Sequence, residues 1–115
     1  MKQIKYTPDA ADKLRNINRS ILQQYGSEKA KAIIGKITST IRGLADNEER
    51  GPLAERMFGV TSDYRYLFVS RNYVFYKVEN DCIRIINIYN EKEDIMWQLF
   101  GIDTTPQETI DYWGE

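Results

Sequence analysis

Apolar residues follow different spacings along the chain, and each spacing predicts a different element. Residues 2–6 alternate apolar and polar side chains, as in a short strand. Between residues 8 and 45 apolar side chains recur every three or four positions, which predicts two amphipathic helices that part at Gly26. From residue 64 to residue 89, three runs rich in β-branched and aromatic residues are joined by short breaks. These runs predict an antiparallel meander.

Capping residues mark the predicted helix ends. Thr7 offers a side-chain oxygen as N-cap of the first helix, and Pro8 suits its first position. Gly26 is expected to end this helix and Ser27 to cap the second, which gives a two-helix hairpin. Helices and strands are segregated along the chain, which favours an α+β domain. The predicted order is an N-terminal strand, the two-helix hairpin, then a three-stranded antiparallel meander with the helices packed on one sheet face.

The connector over residues 46–63 is long and irregular in sequence. Loops of this length in a compact domain are often functional. Its apolar residues Leu53, Met57 and Phe58 are expected to pack against the edge of the core.

Alternation within the meander divides its side chains between two faces. In the third run, one face is expected to carry Ile83, Ile85, Asn87 and Tyr89, and the other Cys82, Arg84, Ile86 and Ile88. One sheet face must receive the apolar stripes of the helices. The opposite face is therefore expected to stay free as an interaction surface that carries arginine, lysine and tyrosine side chains.

Composition removes several kinds of chemistry. The 115 residues include no histidine and one cysteine, Cys82, which lies inside a predicted strand. Histidine-based acid–base catalysis is thus excluded, and neither a metal site nor a cofactor is expected. No apolar run approaches the length of a membrane span, and the N-terminus lacks the apolar stretch of a secretory signal. We therefore expect a cytoplasmic protein without a membrane partner.

Several short motifs, taken in order, resemble the RelE/ParE superfamily of bacterial type II toxins. The motifs are Ile4-Lys5-Tyr6-Thr7-Pro8-Asp9-Ala10, Gly51-Pro52-Leu53, Tyr64-Arg65-Tyr66-Leu67, Asn72-Tyr73-Val74-Phe75-Tyr76-Lys77-Val78 and Leu99-Phe100-Gly101. The chain looks most like the ParE-type, or plasmid-stabilisation, members. The resemblance implies that residues 1–102 form a toxin domain, which arrests growth until a cognate antitoxin protein neutralises it.

Two mechanisms occur in this superfamily, and they need different residues. The resemblance implies that RelE-like members cleave messenger RNA on the ribosome with a cluster of basic side chains, whereas ParE-like members poison DNA gyrase by binding. Here Arg65 occupies the first lysine position of the RelE-like set, but Leu67 occupies the second. The arginine position that opens the next strand falls on Tyr73 or Val74. After the last strand, the run of two arginines and an aspartate in RelE-like members is here Lys92, Glu93 and Asp94. Most of the positive charge of the RelE-like set is thus missing from this chain. Its absence favours the ParE-like mechanism, in which the toxin binds DNA gyrase.

Two alternatives stay open at this point. One is a RelE-like, ribosome-dependent endoribonuclease, which would make the chain an enzyme. The other is an inactive toxin-like module that only binds its antitoxin. In the ParE-like interpretation, the candidate target contacts are Arg65, Arg71, Tyr73, Tyr89 and Lys92. Arg65 is also compatible with a surface ion pair across the sheet to Glu79 or Glu91.

The acidic tail over residues 103–115 lies beyond the resemblance. Thr105-Pro106-Gln107-Glu108 fits a capping box, which is compatible with a short helix. One hypothesis is that Ile110, Tyr112 and Trp113 fold back onto an apolar groove that the antitoxin also uses. Disorder and a dimer contact are the alternatives.

Overall fold

A computed structural model describes residues 2–59, 61–93 and 95, and the predicted order of elements is confirmed within them. The predicted tail over residues 103–115, and with it the domain boundary at residue 102, lies outside the described residues. The elements are β1 (Gln3–Tyr6), α1 (Pro8–Tyr25), α2 (Ser27–Arg42), a 3-10 turn (Gly43–Ala45), α3 (Ala54–Phe58), β2 (Arg65–Val69), β3 (Asn72–Val78) and β4 (Cys82–Asn90). The short helix α3 was not predicted, because its five residues are too few to show a helical period.

The four strands form one sheet in the order β1-β4-β3-β2. Strands β2, β3 and β4 pair antiparallel, which confirms the meander. Strand β1 pairs parallel with β4, with Gln3 opposite Cys82. The N-terminal strand is thus carried across the molecule to the last strand, and β1 and β2 are the two edges of the sheet.

Thr7 caps α1 as predicted and also ties it to the sheet. The Thr7 hydroxyl oxygen accepts a hydrogen bond from the Ala10 amide at 3.1 Å, and the hydroxyl donates to the Ile86 carbonyl at 2.7 Å. The prediction that Ser27 caps α2 is wrong by one residue. Gly26 serves both as the end of α1 and as the N-cap of α2, because its φ of 94° lies in a region that glycine adopts without strain.

The main core lies between the two long helices and one face of the sheet. Its buried members from the helical half are Ala10, Ile37, Ile41 and Leu44, and those from the sheet are Leu67, Val69, Val74, Tyr76, Ile83, Ile85 and Ile88. Burial of this apolar surface is the main source of stability for a domain of this size. The predicted packing of both helices on one sheet face is confirmed.

The opposite face of the sheet is not free, contrary to expectation. A second cluster there buries Ala54, Phe75, Tyr89 and Ile95, with Phe58 and several tyrosines packed around them. The rings of Phe58 and Phe75 lie 5.8 Å apart. Helix α3 thus covers part of this face, and Phe58 packs as predicted. The prediction for Met57 is wrong, since this side chain is 46% exposed.

A β-bulge changes which side chains of β4 share a face. Tyr76 pairs with Ile85 and Phe75 with Asn87, so Ile86 has no partner residue on β3. An extra residue reverses the alternation beyond it. Ile88 therefore joins Ile85 in the main core, and Tyr89 joins the second cluster. The expectation that Tyr89 shares a face with Ile83 and Ile85 is wrong for this reason.

Candidate functional site

The five candidate contact residues divide between two ends of the meander. Arg65 begins β2 opposite Tyr76, next to the connector, and we call this the connector end. The other end, which we call the turn end, holds the turn between β2 and β3 and the residues that follow β4. Arg71, Tyr73, Tyr89 and Lys92 lie at the turn end. Val69, the last residue of β2, is four positions along the extended strand from Arg65, a distance of about 13 Å. The structure thus brings four candidates together and places Arg65 apart.

Arg71 lies at the tip of a two-residue turn with an uncommon backbone. Ser70 has a φ of 51° and Arg71 a φ of 64°, as a type I′ hairpin turn requires. The Arg71 guanidinium donates a hydrogen bond to the Glu91 carboxylate at 2.6 Å, and the Arg71 carbonyl accepts from the Glu91 amide at 3.0 Å. The Arg71 side chain is nevertheless 77% exposed. It remains available to a partner.

Tyr73 and Tyr89 face each other across β3 and β4 but differ in exposure. Tyr89 is only 3% exposed, and its hydroxyl accepts a hydrogen bond from the Asn87 amide group at 3.0 Å. Burial, the largest cause, raises the pKa of Tyr89. The Lys13 ammonium lies 4.6 Å from the centre of the Tyr89 ring. Because Tyr89 is almost completely buried, it offers a partner almost no surface.

Phe68 is an exposed aromatic residue that was not selected from the sequence. Its ring centre lies 4.8 Å from that of the half-buried Tyr73, and the residue is 52% exposed. Phe68 alternates with Leu67 and Val69, which pack in the main core, so it lies on the opposite face of the sheet. Only the sheet order reveals that β2 is an edge strand, and Phe68 stays exposed on it.

Lys92 and Glu93 follow β4, and their charges are disposed differently. Lys92 is exposed, and its backbone amide donates to the Asn90 side-chain oxygen at 3.0 Å. The Glu93 carboxylate accepts from the Lys13 ammonium at 2.8 Å and from the Asn90 amide at 2.7 Å. The acid that replaces a basic residue at this point is thus paired with Lys13.

At the connector end, Arg65 holds the backbone of the connector. Its guanidinium donates to the Gly51 carbonyl at 2.7 Å. The Tyr76 hydroxyl accepts from the Gly51 amide at 2.9 Å and donates to the Glu48 carbonyl at 3.0 Å. Burial, the largest cause, raises the pKa of Tyr76. These bonds fix the connector to the sheet.

The ion pairs considered for Arg65 are not formed. The Glu79 carboxylate accepts from the Nε and Nη2 atoms of Arg84, at 3.1 Å each, and the Glu91 carboxylate accepts from Arg71. Arg65 bonds to a backbone carbonyl instead, because the connector folds over the start of β2 and brings Gly51 to it.

A groove of about 500 Å³ runs between α1 and the turn end. Its apolar wall consists of Ile17, Ile21, Tyr25, Ile33 and Ile88, and its polar rim includes Arg71 and Asn90. Tyr25 and the neighbouring Leu22 are large exposed apolar residues on the same helix. Part of the apolar stripe of α1 thus lies outside the core.

One group of potential metal ligands occurs in the described part of the chain. Ligand atoms of Glu79, Asp81 and Cys82 lie within 4.8 Å of one another. A metal would require the Cys82 thiolate, but burial, followed by the hydrogen bond to Glu79, raises the pKa of this thiol. Arg84 already occupies the Glu79 carboxylate. The donor set therefore fits a metal poorly.

Among the described residues, no helix combines the length and the apolar character that a membrane span requires.

Two solved structures with the same fold are toxin–antitoxin proteins. The chain is similar to a structure described as the chromosomal ParDE toxin–antitoxin system from P. aeruginosa, with a TM-score of 0.66 and 22% identity, covering 78% of this chain and 96% of that one. It is also similar to the E. coli DinJ-YafQ toxin–antitoxin complex, with a TM-score of 0.50 and 15% identity, covering 78% and 92% of the two chains. A search of curated proteins gave no match.

The sequence itself matches one family profile. The match is to the family described as the ParE toxin of the type II toxin–antitoxin system, parDE, and it runs over residues 4–95. It includes every strand and helix described above, apart from Gln3, the first residue of β1. The chain therefore belongs to the ParE toxin family of type II toxin–antitoxin systems.

Proposed function

We propose that this toxin arrests growth by binding DNA gyrase and not by cutting RNA. The observation that supports this most strongly is the burial of Leu67, which occupies the position of the second lysine in RelE-like toxins. Leu67 is 7% exposed and packs in the main core beneath the helices. Its side chain replaces a cation with an apolar group that faces away from any RNA.

The other positions of the RelE-like basic set are equally unsuited to cleavage. Val74 is buried in the main core, and Tyr73 is packed among aromatic rings. Arg65 is bonded to Gly51, about 13 Å along the strand from the turn end. Phosphoryl-transfer catalysis needs preorganised cations around one reacting phosphate. The positions of the RelE-like basic set thus supply no cluster of cations around one point, which supports binding to a target over RNA cleavage.

The turn end is the part of the meander that is best suited to contact a protein target. It combines the exposed cations Arg71 and Lys92 with the exposed ring of Phe68 beside Tyr73. Arginine and aromatic residues are enriched among the side chains that contribute most to protein–protein binding. We assign the gyrase contact to this surface, in the cytoplasm.

The groove along α1 is suited to the cognate antitoxin. Its wall of isoleucines and Tyr25 matches the apolar face of an amphipathic helix, and its polar rim gives such a helix a fixed orientation. Arg71 lines both this groove and the proposed gyrase surface. An antitoxin helix in the groove would therefore block access to the target, which gives neutralisation a steric basis.

A supercoiling assay with purified gyrase tests the target. We expect micromolar toxin to inhibit supercoiling and Arg71→Gln to weaken inhibition by about tenfold, as expected for the loss of a charged contact. Glu91→Gln is the matched control, because it breaks the same ion pair but keeps the cation. Unchanged supercoiling with the wild-type toxin would refute the gyrase target.

Primer extension on a reporter message separates the ribonuclease alternative. We expect intact message after induction of the toxin, and cuts at the ribosomal A site would overturn the proposal. Induction without antitoxin that left growth unaffected would instead indicate an inactive binding module.

The antitoxin surface has a separate test. The probe is the product of the adjoining reading frame, purified with its C-terminal segment. We expect Ile21→Lys to weaken its binding by at least about tenfold, because a buried apolar contact becomes a charge. Gln23→Lys, on the same helix but outside the groove wall, should bind normally. Equal affinities of the two variants would remove the groove from the antitoxin interface.

A further inference from the structure

Three arginines line a second pocket, at the connector end and away from the groove along α1. The pocket has a volume of about 310 Å³, and its lining includes Glu49, Arg50, Gly51, Arg56 and Arg65. The side chains come from the connector, from α3 and from the start of β2. Three guanidinium groups and one carboxylate leave a charge of about +2 in this small volume.

The arginines of this pocket are not neutralised within the described part of the chain. The ion pairs among the described residues involve six other cations, which are Lys2, Lys13, Arg15, Arg71, Lys77 and Arg84. Arg65 donates one hydrogen bond to the Gly51 carbonyl and keeps its other donors. Among the described residues, positive charge that forms no ion pair is thus concentrated at this pocket, in a chain whose net charge is −1.

Backbone hydrogen bonds hold the pocket wall in place. The Tyr66 amide donates to the Pro52 carbonyl at 3.1 Å, and the Ala54 amide donates to the Tyr64 carbonyl at 2.8 Å. Leu53 forms an antiparallel bridge with Arg65. With the Tyr76 bonds to Gly51 and Glu48, the connector is fixed along the start of β2. The guanidinium groups therefore project from a fixed backbone, which lowers the entropy cost of binding a ligand.

We infer that this arginine pocket binds a phosphate group. The planar guanidinium donates pairs of parallel hydrogen bonds that match the oxygens of phosphate. A dianionic phosphate monoester balances the local charge of about +2, and so do two neighbouring phosphodiester groups of a nucleic acid, whereas a single carboxylate would leave it half neutralised. The phosphate comes either from a free nucleotide or from the backbone of a nucleic acid. The inference does not depend on gyrase as the target, because it concerns the opposite end of the meander.

Isothermal titration of the full chain with inorganic phosphate, at constant ionic strength, tests the pocket directly. We expect saturable binding that Arg50→Gln and Arg56→Gln each weaken by about tenfold, since a charge-assisted hydrogen bond is lost. Arg19→Gln is the matched control, because Arg19 is an exposed arginine of α1 outside the pocket. Arg65 is left unchanged because it also supports the connector.

Two further titrations identify the source of the phosphate. Tighter binding of thymidine 5′-monophosphate than of inorganic phosphate would indicate a free nucleotide. Tighter binding of an oligonucleotide without terminal phosphates would indicate a nucleic-acid backbone. Absence of saturable phosphate binding would overturn the inference, and so would equal weakening by Arg19→Gln. Binding of an acidic peptide but not of phosphate would also overturn it.

Discussion

The two ends of the meander use arginine in different ways. At the connector end, Arg65 donates to the Gly51 carbonyl and helps to hold the connector. At the turn end, Arg71 forms an exposed pair with Glu91 on a turn that needs positive φ at a non-glycine residue. The first arginine contributes to the fold, and the second remains accessible at a cost in backbone strain. An arginine at the end of a strand therefore indicates a contact surface only when no nearby backbone carbonyl accepts its hydrogen bonds, as the Gly51 carbonyl does for Arg65.

The largest expected effect is at Gly51, where the connector meets the sheet. An added Cβ would lie 2.2 Å from the Tyr66 carbonyl oxygen and 2.9 Å from the Tyr76 hydroxyl. We expect Gly51→Ala to lower the free energy of unfolding by about 3 kcal/mol, because backbone must shift to relieve the overlap. Urea denaturation measures this change.

Gly35→Ala provides the matched control for that substitution. A Cβ at Gly35 meets no atom within 4 Å, and the residue lies inside α2. We expect the free energy of unfolding to rise by about 1 kcal/mol, since alanine has the better helix propensity. Similar losses at both glycines would contradict the tight packing inferred for the connector end.

The Tyr76 hydroxyl is expected to have the next largest effect. Tyr76→Phe leaves the buried Gly51 amide without its acceptor, which should cost about 2 kcal/mol of unfolding free energy. Tyr25→Phe should change it by less than about 0.5 kcal/mol, because Tyr25 is exposed. Thermal unfolding of both variants measures the difference, and equal melting temperatures would show that the connector is not held by this hydroxyl.

Relief of strain at the turn end should have a smaller effect of opposite sign. Ser70→Asn combined with Arg71→Gly installs the residues that a type I′ turn prefers. We expect the free energy of unfolding to rise by about 1 kcal/mol, since losing an exposed ion pair costs less than about 0.5 kcal/mol. The same variant should inhibit gyrase less. Greater stability with unchanged inhibition would separate the turn from the target surface.

The smallest expected effect is that of Glu79 on the melting temperature at acid pH. Hydrogen bonds from Arg84, the largest cause, and from Cys82 lower the pKa of Glu79 below its ordinary value of 4.5. A lowered pKa in the folded state stabilises the fold above the ordinary value, and this contribution is lost as pH falls through the folded value. We expect Glu79→Gln to show a flatter decline in melting temperature than the wild type at acid pH. Identical profiles would contradict this role.

The elements of the fold were largely predictable, and the candidate site only in part. Thr7, Pro8 and the apolar periods of α1 and α2 act over a few residues, so their signals are visible in the sequence. The status of Phe68 and Tyr89 was not visible. Tyr89 is buried because a bulge shifts β4, and Phe68 is exposed because β2 is an edge strand, and neither fact is local.

Local sequence patterns were sufficient to predict the order of the elements along the chain and the hairpin break at Gly26, and the ordered motifs were sufficient to indicate the toxin family. Tertiary structure alone decided that Arg65 bonds to Gly51, that α3 covers part of the second sheet face and that three arginines line one pocket. The physical reason is distance along the chain. Each of these outcomes joins the connector over residues 46–63 to other parts of the molecule, and periodicity along the chain carries no information about such long-range contacts.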